Sequence, residues 1–301
     1  MIYLMEGDAY VEVDDWKTIS HRNNYVENLV VKGRKLEKII GYYELPEKIK
    51  CGLSNCHTAH YRGYVVETDD GSETNIGHTC GTKYFDVQFE AMSSEFLNAL
   101  EYAQAKEFIV ESKKKVFDYW QLVNALAVGP KNVNWAIRLQ KNVNDASIIG
   151  QAAYRALRQM QALNSGNVTT SRPPTKEEIE LAQVAGQSAP ESIEIIIGFI
   201  ANIEFLSPDN NLTALYEDQL RWVVNALQES NPDKISRTQM RPIVSGIKSL
   251  DKTLEQTRSV IDSARVFFTK DNLSQLLLSL EDNENVSTAD INRYKEFLEQ
   301  L

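Results

Sequence analysis

Three cysteines fall within thirty residues of one another, in CGLSNCHTAH (51–60) and IGHTCGTKYF (76–85), and three of the four histidines fall among them. If these side chains hold one ion, the chain between Cys56 and Cys80 must double back. Its composition allows that. YRGYVVET (61–68) is β-branched and aromatic, DDGS (69–72) is turn chemistry and ETNIG (73–77) is a return strand, so a β-hairpin is predicted. Tyr84, Phe85, Val87 and Phe89 then open a helical pattern. An odd cysteine count interleaved with histidine points to reduced thiols and metal binding over a disulfide framework.

Structural zinc sites take four ligands in tetrahedral array, mainly thiolate and imidazole. Cys51 and Cys56 flank a tight loop containing Gly52, Ser54 and Asn55, and Cys80 stands at the expected start of the helix. The helix dipole there favours an ionised sulfur. A histidine must complete the set. His60, four residues after Cys56, can fold back onto the loop, and His78, two before Cys80, is the alternative; His57 adjoins a ligand and is less able to point at the same ion. The metal set is therefore Cys51, Cys56, His60 and Cys80, with His78 as the other choice of fourth ligand. Knuckle, hairpin and helix in this order resemble the treble-clef zinc fingers over residues 45–92, and the segment is similar to zinc-finger regions of uncharacterised bacteriophage and bacterial proteins. It departs from the usual pattern in its four-residue spacing between the first two cysteines and in having Lys83 and Tyr84 where a second helix ligand would stand. The resemblance implies one structural zinc ion per chain.

Beyond this module the pattern is helical. Residues 93–128 contain neither Pro nor Gly, with Phe96, Leu100, Ala103, Ile109, Val116, Trp120 and Val123 at helical intervals, which predicts one long helix or two with a bend. KNVN occurs at 131–134 and again at 141–144, and each copy is expected to cap a short helix. SGNVTTSRPPT (165–175) reads as a linker. Thr175 with Glu178 and Ser287 with Asp290 have capping-box spacing. The expected fold is an α+β N-terminal zinc-binding domain over 1–92, a helical, locally basic region over 93–164, the linker, and an acidic helical domain over 176–301, predominantly α overall.

Composition bounds the function. The 301 residues are 43% hydrophobic and 25% charged, as in a globular chain of two or three domains. The opening residues lack a signal-peptide pattern, and the longest apolar run, IEIIIGFIANI (193–203), is far shorter than the roughly 20 residues of a membrane span. A cytoplasmic location is expected, a host's cytoplasm if the chain is phage-encoded, with no membrane partner. The net charge of −10 argues against a nonspecific nucleic-acid coat, yet residues 91–164 carry 9 basic and 6 acidic side chains. There Lys131, Arg138, Lys141, Arg155 and Arg158 are interleaved with Trp135 and Tyr154, a mixture suited to single-stranded nucleic acid. Such aromatics are as often core, and a Lys run such as 113–115 is usually a solvated face.

No nucleotide-binding glycine loop, no G-x-S-x-G and no H-E-x-x-H or deaminase signature is present, so no nucleotide cofactor and no catalytic residue are predicted. The expectation is a non-enzymatic, zinc-stabilised binding protein whose partner is another protein or a nucleic acid, of the kind phages use against a host nucleic-acid or defence machine. The alternative is a nuclease-like enzyme with a divalent ion on acidic pairs such as Asp14-Asp15 or Asp69-Asp70, the finger gripping substrate.

Overall fold

The computed structural model describes residues 1–7 and 9–301. They form two compact units, one of residues 1–110 with 232–241 and one of residues 111–231 with 242–301.

The first unit is built on a five-stranded antiparallel sheet of order β2-β1-β3-β4-β5. Its strands are β1 (Ile2–Glu6), β2 (Ala9–Glu12), β3 (Leu36–Lys50), β4 (Ala59–Thr68) and β5 (Glu73–Ile76), with a short helix α1 (Trp16–Ser20) before β3. The β-branched centre of β4 is buried on both faces, which decides how the unit is layered. Val65 packs with Ile2, Leu4, Ile19, Ile40 and Tyr43 on one side. Tyr64 and Val66 pack on the other against Phe85, Phe89, Phe96 and Leu100 of helix α2 (His78–Lys113). The predicted hairpin is β4–β5: Thr68 N–H donates to Ser72 O, and Gly71, at φ +78°, takes the left-handed conformation that glycine tolerates best. Its Asp69 and Asp70 serve the turn, since Asp70 accepts from the Thr68 hydroxyl and the Ser72 amide and pairs with Arg34 at 2.7 Å.

Helix α2 bends at Asp86, whose φ of 53° and ψ of −140° interrupt the helix. Residue 92, the expected end of the zinc-binding domain, lies inside this helix, and the first compact unit includes residues up to Val110. The Pro- and Gly-free run divides into α2 and α3 (Val116–Ala125), separated at Lys114 and Lys115.

The second unit is mainly helical: α3, α4 (Val133–Val143), α5 (Ala146–Ile149), α6 (Gln151–Ala162), α7 (Lys176–Val184), α8 (Trp222–Glu229), α9 (Arg237–Lys248, which starts in the first unit), α10 (Leu250–Phe267), α11 (Lys270–Asp282) and α12 (Thr288–Leu298). A π-helical segment, Thr213–Arg221, leads into α8, with Leu215, Tyr216 and Leu220 buried. Thr175 and Glu178 form the expected capping box, and Ser287 caps α12. Of the two KNVN copies only the first starts a helix, with Asn132 accepting from the Asn134 and Trp135 amides; the second ends α4 and the cap that follows is Asp145.

Two stretches depart from the sequence expectation together. The linker of 165–175 contains strand β6 (Asn167–Arg172), and the region expected to be all helix contains β7 (Ile193–Phe199), its antiparallel partner. Each has β-branched residues that pair readily once a partner exists, and the partner lies beyond an intervening helix where local patterning does not reveal it. No helix among the described residues is long and apolar enough to cross a membrane.

One ion pair ties the segment after α1 to the hairpin: Arg22 meets Glu73 with two bonds, of 2.6 and 3.0 Å, and the Glu73 side chain is 4% exposed against 34% for Arg22. Removing the cation strands a buried carboxylate. Arg22→Ala should cost about 2–3 kcal/mol in urea denaturation, on the low side for a buried pair because the guanidinium still meets water. A variant as stable as the parent would show that Glu73 is held by other donors.

Candidate metal centre

Two of the cysteines are delivered by the ends of regular elements and the third by the loop that follows the first. Strand β3 ends at Lys50, so Cys51 follows directly, and its amide donates to Thr58 O at 3.0 Å across the loop. Within that loop the Cys56 amide donates to Leu53 O, and His57 takes a φ of 52°, which turns the chain into β4. The hairpin then returns the chain to Gly77, and α2 begins at His78 with Cys80 in its first turn. The three sulfur atoms end within 4.8 Å of one another, Cys56 and Cys80 only 2.9 Å apart. Cys51 is buried and the other two are half-buried. Three cysteines are thus positioned to bind a metal ion.

The electrostatics of the thiols favour a cation among them. Burial pushes the Cys51 thiol up, opposed by the backbone of Leu53 and Gly77. Burial and the shared hydrogen bond with Cys56 push Cys80 up to about 12. At Cys56 burial acts upward too, but hydrogen bonds with Cys80 and Thr58 outweigh it and lower the thiol to about 7. One thiolate forms readily and resists the next two, because like charges at this separation repel. A divalent ion reverses that balance and takes up all three thiolates. The helix start does not lower Cys80 as expected from the dipole, since burial and its sulfur neighbours are the stronger influences.

Neither candidate histidine shares the 4.8 Å sulfur cluster. His60, on β4 opposite Ile49, stacks on Tyr43 with ring centres 5.8 Å apart, and its Nδ1 lies 3.1 Å from the Tyr43 hydroxyl. Its Nε2 is buried with no partner in hydrogen-bonding geometry. Burial lowers the His60 pKa, the Arg62 backbone opposing it, which favours the neutral ring a metal requires. His78 is exposed and lies against the Tyr64 and Phe89 rings. His57 is exposed in the loop. Sequence reasoning passed over Tyr43 and Gly77, which lie against His60, and Asn75, which donates to the Tyr43 hydroxyl. Gly77 carried a signal, standing just ahead of the His-x-Cys run; Tyr43 carried none, because its contact with His60 depends on strand register.

The acidic pairs do local work. Asp15 caps α1 by accepting from Lys17 N–H at 3.0 Å, and Asp69 accepts from the Lys35 amide at 3.1 Å. The basic residues of the middle segment lie in the second unit. Lys131 sits 5.5 Å over the half-buried Trp135, whose edge meets Phe268. Arg138 is exposed three residues before Lys141. Arg158 lies 5.5 Å over Tyr154 and donates to Asn144, and with Lys141 these residues line a cleft of about 880 Å³. Arg155 lines a different cleft, of about 590 Å³. Among the described residues, none of these five cations has a carboxylate within salt-bridge distance. Asp145 lines the larger cleft too, but its Oδ1 accepts from the backbone and hydroxyl of Ser147.

Comparison with known proteins gives no relative: no protein-family profile, no curated protein and no solved structure matches the chain.

Proposed function

We propose that the chain is a non-enzymatic binding protein, stabilised by one structural zinc ion, that holds single-stranded nucleic acid along the cationic side of α4 and α6. Three thiolates and an imidazole are a donor set that zinc takes readily, and the order of loop, hairpin and helix supports the treble-clef reading. A closed four-ligand site leaves zinc no open position for chemistry, so its part is to hold the first unit together.

The observation that carries the binding reading is that, among the described residues, Lys131, Arg138, Lys141, Arg155 and Arg158 have no carboxylate within salt-bridge distance, in a chain whose net charge is −10. With 42 acidic side chains in the chain, five cations of one segment without a carboxylate partner are free to meet phosphates. Tyr154 beneath Arg158 adds a ring for stacking beside charge. The acidic residues singled out for the nuclease alternative are Asp14, Asp15, Asp69 and Asp70, and the use of the last three in a cap and a turn favours the non-enzymatic reading.

Anisotropy of a labelled single-stranded oligonucleotide tests the binding. Affinity should fall with salt with a log–log slope of about −3.5, since five phosphate contacts on a single strand contribute about −0.7 each. Lys141→Glu with Arg158→Glu should weaken it and flatten the slope. Binding that ignores salt, or no binding, would contradict the proposal.

For the metal, elemental analysis should find one zinc per chain. Affinity should fall as pH falls: ligation needs all three sulfurs deprotonated, and Cys51 and Cys80 hold their protons above the usual thiol range. Zinc uptake by competition with a chromophoric chelator at several pH values measures this. Affinity independent of pH would show that the thiols are not the ligands.

A further inference from the structure

We infer that His60 completes the metal centre through Nε2, and that Tyr43 and Gly77 are the residues that position it. This rests on the metal reading above.

The first ground is an unmet need. Buried polar atoms nearly always have a partner, and His60 Nε2 is buried without one. The second is the grip on the other ring nitrogen. A metal-bound imidazole is characteristically held by its second nitrogen, which fixes ring orientation. Here Nδ1 meets the hydroxyl of the fully buried Tyr43 at 3.1 Å. That hydroxyl is itself fixed, accepting from Asn75 Nδ2 at 3.2 Å. The Asn75 amide cannot be reversed, because Nδ2 also donates to Lys50 O at 2.8 Å and Oδ1 accepts from the Tyr25 hydroxyl at 2.6 Å.

The third ground is space. A Cβ at Gly77 would lie 2.8 Å from His60 Cδ2 and 3.2 Å from Nε2, so the free edge of the ring faces the segment that leads into Cys80. Only glycine admits the imidazole there. Asn75 also receives the Cys51 thiol on its backbone oxygen, at 3.8 Å, so one residue supports a sulfur ligand and the chain that orients the ring. His78 has none of these features; it is exposed, tilted against the Tyr64 ring and T-shaped to that of Phe89.

Because Nε2 stands outside the sulfur cluster, binding requires the ring and the thiols to come together. The hydrogen bond at Tyr43 also changes direction. Without metal the Tyr43 proton is donated to Nδ1 and the ring proton sits on Nε2. With metal on Nε2 the ring proton sits on Nδ1 and is donated to the Tyr43 oxygen, so the imidazole stays neutral in both states.

Cobalt(II) titration of the full-length, metal-free protein tests the assignment, reading the visible bands of a tetrahedral site with three sulfurs and one nitrogen. Wild type and His78→Ala should share that spectrum and affinity, and His60→Ala should lose both. Tyr43→Phe should keep the spectrum while its affinity falls about 10–100-fold, as for loss of a partner behind a ligand. Gly77→Ala should weaken binding as well. If His60→Ala does not fold, ¹⁵N spectra of histidine-labelled wild-type protein with zinc decide: His60 should carry its proton on Nδ1 and show a metal-shifted Nε2. His60→Ala with the wild-type spectrum, or a zinc-bound protein with an unshifted His60 ring, overturns the inference while leaving the metal reading intact. Failure of wild type to bind either ion overturns both.

Discussion

The first unit depends on bringing three sulfur atoms, from the end of one strand, from a loop and from the first turn of a helix, to within 4.8 Å. That approach sets the length and path of everything between Cys51 and Cys80. The loop has to turn inside a few residues, the β4–β5 hairpin has to return the chain to the level at which it left β3, and α2 has to begin as soon as β5 ends. Packing agrees with it. All three cysteines border the apolar layer in which Tyr64, Val66, Phe85 and Phe89 join the sheet to α2, so the sulfur site and the core close over the same seam.

Strand β5 organises this region although its sequence, ETNI, is mostly polar. All four of its residues are buried, and each polar side chain has a partner. Glu73 takes the Arg22 guanidinium, the Thr74 hydroxyl donates to Val26 O at 2.8 Å, and Asn75 joins Tyr25, Tyr43 and Lys50. A buried polar strand is tolerable only when it is satisfied in full, and satisfying it clips residues 22–26 onto the sheet. The same network ends at His60, so the local fold and the orientation of that ring have a common support.

Much of this was legible in the sequence where the signal is local. The cysteine spacing, the DDGS turn and the capping box at Thr175 all state their structure within a few residues. What was not legible depends on distant partners. Strands β6 and β7 are separated by α7, so the first read as a linker and the second merely as an apolar run. The placing of Tyr43 beside His60 follows from the register of β3 on β4, which contains irregular steps between Leu36 and Ile49 that no pattern of alternation predicts. Aromatic residues in the basic segment gave a mixed signal for the same reason: Trp135 is partly spent on Phe268, while Tyr154 stays beside an open cleft.

In the function proposed above, a metal ion at Cys51, Cys56 and Cys80 holds the first unit in its fold. Amide hydrogen exchange on the zinc-loaded protein, before and after chelation, tests it most directly. The account predicts that protection is lost across the loop after Cys51, strands β4 and β5 and the first turns of α2, while the helices of the second unit exchange as before. Unchanged protection in residues 51–85 after the metal has been removed would contradict it.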